Sequence, residues 1–218
     1  MLYTVLDAEG LIAEFTHAVA APFVPEVQLY LADELVPVWH ATEWRTAAPQ
    51  PPPFWAFAWP GSMALARFVF DNPAFVAGKR VLDYGSGSGL AAIAAARCGA
   101  SDVLAYDLDP IAAIAQRLNA EVNGVQLSIV TGDATLATTE CDVILAGDVC
   151  YEREPAEATI TWLRGQAARG RLVLVADPGR HYAPTDGLEL LETYQLPVLR
   201  ELESQELKRT RLWRLLNL

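Results

Sequence analysis

From residue 79 onward, short apolar runs alternate with longer segments of helical character. Arg80 to Tyr84, Asp102 to Tyr106, Leu127 to Val130, Cys141 to Ala146 and Arg171 to Ala176 read as buried strands. Leu90 to Cys98, Ile111 to Glu121 and Pro155 to Ala168 read as helices, and Asp109-Pro110 supplies a capping acid and a first-turn proline for the second of them. Strand and helix in regular succession predict an α/β fold, a parallel sheet with helices on both faces. The tail breaks the rhythm. Leu196 to Leu202 and Leu207 to Leu216 read as consecutive strands around a turn at Glu203 to Gln205, so at least one of them runs antiparallel.

The first 45 residues carry a different pattern. Leu11, Phe15, Ala18 and Val19 share a helical face, as do Val27, Leu31, Leu35 and Val38. A proline-rich stretch, residues 47–55, follows and is stiff and extended. It reads as a tether, or alternatively as one wall of a substrate groove. The expected division is a helical N-terminal extension with a proline-rich linker over 1–53 and a main domain over 54–218.

Composition narrows the function. Over 218 residues, 52% are apolar and 20% charged, enough for a sizeable core. The formal net charge is −11, from 27 acids and 16 bases. A protein living on phosphate contacts concentrates Lys and Arg, so direct nucleic-acid binding is disfavoured. Cys98, Cys141 and Cys150 are an odd number without metal-ligand spacing, which argues against a disulfide framework or a zinc site and for a reducing compartment. No apolar run reaches membrane-spanning length, and the first residues lack a signal-peptide layout. The expectation is a cytoplasmic protein with no membrane association and no metal.

The strongest local signal is VLDYGSGSG, residues 81–89. A strand ends, and Gly85, Gly87 and Gly89 turn the chain into a helix, where backbone must bend sharply beside a ligand. The dinucleotide fingerprint requires a third glycine where Leu90 stands, which disfavours a nicotinamide-dependent oxidoreductase. Asp83, two residues before the loop, repels a pyrophosphate but suits an ammonium. That chemistry fits S-adenosylmethionine. Asp107 closes the second strand 22 residues after Gly85, placed to accept two ribose hydroxyls. Asp133, after the third strand, is placed to accept the adenine amine. The fourth strand runs into GDVCY, residues 147–151, at the switch point where open α/β sheets bind ligands. Asp148 there reads as a site acid or as the cap of the next helix. The two prolines typical of base-methylating enzymes are missing.

The segments PEVQLYLA (25–32), PFWAFAWPGSMALARFVFDNP (53–73), GKRVLDYGSGSG (78–89), GASDVLAYDLDPIA (99–112), LNAEVN (118–123), GDVCYE (147–152) and DPGR (177–180) together resemble the seven-strand S-adenosylmethionine-dependent protein-lysine methyltransferases. Within that class they are most similar to those acting on the electron transfer flavoprotein β subunit. The resemblance covers most of residues 25–180. It implies a Rossmann-like class I methyltransferase with strand order 3-2-1-4-5-7-6 and strand 7 antiparallel. It further implies that Asp83, Gly85 and Gly87 hold the methionyl end of the cofactor and Asp107 the ribose. Trp59 and Gly147 would lie against the cofactor, and the Asp148-x-x-Tyr151 pair around the incoming lysine. The partner would be a lysine-bearing protein, the flavoprotein β subunit or a ribosomal protein. A small-molecule methyltransferase and a non-catalytic module of the same fold are the alternatives. An apolar channel walled by Trp55, Phe57 and Trp59 would favour the neutral amine by desolvation; for Trp55 and Phe57, ordinary core packing is the competing reading.

Overall fold

The computed structural model describes residues 7–137, 140–198 and 206–217. Seven strands form one sheet: β3 (Arg80–Tyr84), β4 (Asp102–Asp107), β5 (Ser128–Thr131), β6 (Val143–Gly147), β7 (Leu172–Asp177), β8 (Leu188–Pro197) and β9 (Leu207–Leu215). Their spatial order is β5-β4-β3-β6-β7-β9-β8. Neighbouring pairs among the first five strands are parallel, whereas β9 runs antiparallel to both β7 and β8. Counting sheet strands along the chain, this is 3-2-1-4-5-7-6 with the last strand reversed, as the resemblance implies. The reversal follows from connectivity: β8 and β9 are adjacent in the sheet and only nine residues apart in the chain, too few for the crossover that a parallel pair requires.

Alternate residues of the central strands feed two apolar layers. Val81, Val143, Leu145 and Leu174 face α3 (Pro60–Asp71) and α4 (Leu90–Arg97). Leu82, Ile144, Val173 and Val175 face α6 (Arg153–Ala168). Helix α5 (Pro110–Val122) lies over β4 and β5, opened by Asp109, whose carboxylate accepts from Ile111 N at 2.8 Å. Burial on both faces explains why these strands read as continuous apolar runs.

Two expectations are corrected. Between α1 (Ala8–Phe15) and α2 (Leu35–Thr46) the chain forms an antiparallel hairpin, β1 (His17–Ala21) and β2 (Val24–Leu31), where the apolar spacing predicts helix. In β2, Val24, Val27, Leu29 and Leu31 are buried. The last three alternate, a period-two pattern that shares positions 27 and 31 with a helical one. The hairpin packs into the main core, with β2 in the same apolar cluster as α3 and α4. The second correction concerns β8, which begins eight residues before Leu196 and ends at Pro197. The turn expected at Glu203 to Gln205 lies outside the described residues. No helix among the described residues is long and apolar enough to cross a membrane.

Candidate active site

The end of β3 shows why glycine recurs there. Gly85, Gly87 and Gly89 have φ of 66°, 52° and 83°, a region that side chains with a Cβ enter at a cost. Asp83 is buried beneath the loop and accepts from Ser86 Oγ at 2.7 Å and Ala92 N at 3.0 Å, tying strand, loop and α4 together. Burial pushes its carboxyl up to about 7, aided by the Asp107 charge and opposed by those two hydrogen bonds. Asp107, at the end of β4, accepts from Gly87 N at 2.7 Å on one oxygen and Asp109 N at 3.0 Å on the other. It is partly exposed, and its carboxyl is raised, chiefly by burial.

Helix α5 supplies a layer that the sequence reading missed. Gln116 Nε2 donates to Gly87 O at 3.2 Å, and Asn119 Nδ2 donates to Ser88 O at 2.8 Å. Asn119 Oδ1 accepts from Tyr30 N, and Asn123 Oδ1 from Gln28 N, so the same helix clamps both the glycine loop and β2. The available signal was three amides at helical spacing on an otherwise apolar face. Gln116 and Asn119 are fully buried, where an amide requires partners.

The second half of the site forms where the head of α3 meets the end of β6. A Cβ on Gly147 would lie 2.8 Å from Gly61 C and Ser62 N; one on Gly61 would lie 2.5 Å from Asp148 N. The two backbones therefore touch only because both residues lack side chains. Asp148 sits in the left-handed region with φ of 57°. Its Oδ2 accepts the Gly61 N–H, and its Oδ1 accepts from Arg180 Nη2 at 3.0 Å and Nε at 3.3 Å. Burial pushes its carboxyl up to about 6, with Arg180 and Gly61 N–H pulling down and Asp177 pushing up. The capping alternative is thus redirected. Asp148 does not cap α6, whose N-cap is Glu152; it caps α3 from across the fold.

Arg180 arrives through the DPGR turn. Asp177 Oδ1 accepts from Gly179 N at 2.7 Å and Arg180 N at 2.6 Å. The guanidinium carbon lies 5.9 Å from the centre of the Trp59 ring. Trp59 donates from Nε1 to Phe54 O at 2.8 Å and packs edge-on against the Phe54 ring, whose centre is 5.3 Å from that of Tyr151. The aromatic rim is therefore Phe54, Trp59 and the half-exposed Tyr151. Trp55 and Phe57, 1% and 3% exposed, belong to the core formed with α1 and α5, which corrects their assignment to a lysine channel. The proline-rich stretch delivers Phe54 to this rim and is braced by Trp39 Nε1 donating to Gln50 O at 2.8 Å.

The two halves abut. A Cβ on Gly85 would lie 3.2 Å from Val149 Cγ1, and one on Gly87 would lie 3.8 Å from Phe54 O. Along the same rim, Leu108 and Leu136 are 72% and 86% exposed, next to Asp107 and Asp133. Asp133 is exposed and caps the short turn Ala134–Leu136, with Oδ1 accepting from Thr135 N and Oγ1. Cys150 is buried, and its thiol is pushed up to about 12, which makes it inert. Two surface grooves lie toward the opposite ends of the strands, near Arg80 and Asp142 and near Val103 and Leu127, and share no residue with this site.

Comparison with known proteins places this geometry among methyltransferases. Residues 70–149 match the family model of the ribosomal protein L11 methyltransferase. The chain is 39% identical over 199 residues to the electron transfer flavoprotein β-subunit lysine methyltransferase of Mus musculus, covering 87% of this chain and 76% of that protein. The Danio rerio protein of the same description is 38% identical over 216 residues, covering 95% and 83%. Among solved structures, a Thermus thermophilus 16S rRNA N2 G1207 methyltransferase shares the fold with a TM-score of 0.57 at 18% identity, over 92% of this chain and 50% of that one.

Proposed function

Because the chain belongs to the electron transfer flavoprotein β-subunit lysine methyltransferases, we propose that it methylates a lysine of that flavoprotein subunit with S-adenosylmethionine as donor, in the cytoplasm. The L11 match is confined to residues 70–149 and so speaks for the shared cofactor half. The observation that carries the reading is Asp148. It is a buried carboxylate at the head of α3, joined through Arg180 to the aromatic rim, and the next residue, Val149, lies against the glycine loop.

The residues present fit that donor. Each Asp107 oxygen accepts one of the two backbone N–H bonds given above, leaving lone pairs for two hydroxyls. Leu108 offers an apolar face for a purine, and Asp133 an acceptor nearby. Asp83 supplies negative charge beneath the loop for an ammonium, and Gly87 leaves backbone open there, since a Cβ on it would meet nothing nearer than Phe54 O at 3.8 Å. Trp59 closes the site toward Phe54. The donor, when bound, supplies an electrophilic methyl group on a sulfonium.

The protein's part is alignment and field. The lysine nitrogen must arrive without its extra proton, whereas its ordinary pKa is about 10.4. The rim of Phe54, Trp59 and Tyr151 desolvates the amine and favours the neutral form. Asp148 accepts an N–H of the amine and stabilises the positive charge that develops as the nitrogen–carbon bond forms. Tyr151 flanks the approach. Asp148→Asn tests this, because Asn tolerates the left-handed region and its Oδ1 still accepts from Gly61 N, while its Nδ2, a donor, gives up the Arg180 contact. Single-turnover methylation is expected to fall about 100-fold, with cofactor affinity within a few-fold of wild type and stability reduced by about 1–2 kcal/mol. Near-normal turnover would reduce Asp148 to a cap of α3.

A further inference from the structure

The carboxylate just described has a resident cation. Arg180 Nη2 and Nε both point at Asp148 Oδ1, and the guanidinium also covers the Trp59 ring. The arginine is held there by a turn built for it: Asp177 Oδ1 takes the Gly179 and Arg180 N–H groups, and Asp177 Oδ2 is buried with no hydrogen-bond partner among the described residues. Asp148 is 9% exposed and Arg180 22%, so this pair is shielded from bulk water, unlike a surface ion pair. A site for methyl transfer faces a dilemma at this point. An unbalanced carboxylate binds a lysine best as the ammonium, which has no lone pair to give. A carboxylate with its own counter-ion still accepts an N–H, yet no longer holds the extra proton on the amine.

We infer that Arg180 is a positioning residue for the methyl-acceptor subsite: as the fixed counter-ion of Asp148, it fixes that carboxylate and keeps the subsite electrically balanced, so that the substrate nitrogen is held as a neutral amine. The inference rests on the placement of the lysine at Asp148 proposed above. The groups around Asp148 are consistent with one dominant cation. From the end of β7 comes Asp177, from the following turn Arg180, from the loop after β6 Cys150, and from α3 the Gly61 N–H. Of these only Arg180 is positively charged; Asp177 and a thiolate at Cys150 would push the other way.

The test is the pH dependence of kcat for wild type, Arg180→Gln, Arg180→Lys and Asp148→Asn, on purified electron transfer flavoprotein with saturating S-adenosylmethionine. Thermal melts run beside it. Activity rises with pH as the bound lysine loses its proton. Losing a cation within hydrogen-bonding reach moves a neighbouring titration by about one unit or more. In Arg180→Gln the rising limb is expected to shift to higher pH by that amount, with activity recovering at alkaline pH. Arg180→Lys, which keeps the charge, is expected to stay near wild type. Arg180→Met replaces the Gln variant if the latter melts early. A merely structural arginine would lower the melt and the plateau without moving the limb, and an unshifted limb in Arg180→Gln overturns the inference. The Asp148→Asn arm separates the failures. Full activity there removes the lysine from Asp148 altogether. Low activity there in a variant that the melt shows folded at the assay temperature, with an unshifted Arg180→Gln limb, leaves the lysine at Asp148 and removes only the role of Arg180.

Discussion

Gly61 and Gly147 hold the site together by what they lack. A methyl group on Gly61 would meet Asp148 N, Ala176 O and Asp148 Oδ2 at 2.5 to 2.6 Å, two of them backbone atoms that cannot step aside. Gly61→Ala is therefore expected to cost about 1–3 kcal/mol by overpacking and to depress methylation further by lifting α3 off β6; denaturant unfolding and single-turnover kinetics measure both. The glycines were legible as a motif in the loop at 85–89, because three of them punctuate a strand end. Gly61 was not, because a glycine in the first turn of a helix carries no local signal of what lies across from it. Arg180 was seen only as part of a turn, since its partner Asp148 is 32 residues away. Asp83 adds a pH signature. Its native carboxyl is raised from an ordinary 3.8 to about 7. A raised carboxyl contributes stability that is fully present below the unfolded value and is lost as pH rises through the native one. Unfolding free energy of the free protein is thus expected to fall between those two values, and Asp83→Asn to flatten that fall. A cationic ligand above Asp83 reverses the bias, so binding of S-adenosylmethionine near pH 7 should release protons. Calorimetric titration in buffers of different ionisation heat detects this, and no dependence on buffer would detach Asp83 from the cofactor.

At the scale of elements, helix α5 is the joint between the hairpin and the glycine loop. Asn119 serves Tyr30 N and Ser88 O at once, and truncation leaves both unpaired in the interior. Asn119→Ala is expected to destabilise by about 2–3 kcal/mol. Hydrogen exchange at Tyr30 should accelerate more than exchange in β6, since the damage is local to the clamp. The parallel core strands and their helices were readable because strands buried on both faces leave unbroken apolar runs. The hairpin was misread because β2 puts Val27 and Leu31 four residues apart, a spacing shared by helix and strand. β8 was misplaced because it is an edge strand with mostly exposed or half-buried positions, so little hydrophobic pattern marks its start. Aromatic identity alone did not sort the rim from the core either. Trp55 and Trp59 are the same residue type; Trp55 is 1% exposed inside the cluster with α1 and α5, whereas Trp59 is only partly buried at its edge.

For the whole molecule, the net charge of −11 and the absence, among described residues, of any group of three or more metal-ligating side chains set a further expectation. Methylation should persist after chelation with EDTA and after nuclease treatment, and loss under either would point to a metal or nucleic-acid requirement. The architecture brings three distant stretches to one rim: the proline-rich run ending at Phe54, the loop after β6 with Asp148 and Tyr151, and the turn after β7 with Arg180. On the proposed reading, that convergence gives the lysine a carboxylate inside an aromatic rim, next to the glycine loop. The most direct measurement is intact-mass and peptide mass spectrometry of purified electron transfer flavoprotein after incubation with this protein and S-adenosylmethionine. The prediction is a gain of one or more methyl groups on a lysine of the β subunit, abolished by leaving out the donor and strongly reduced with Asp148→Asn. An unmodified β subunit in the presence of folded, cofactor-binding protein would contradict it.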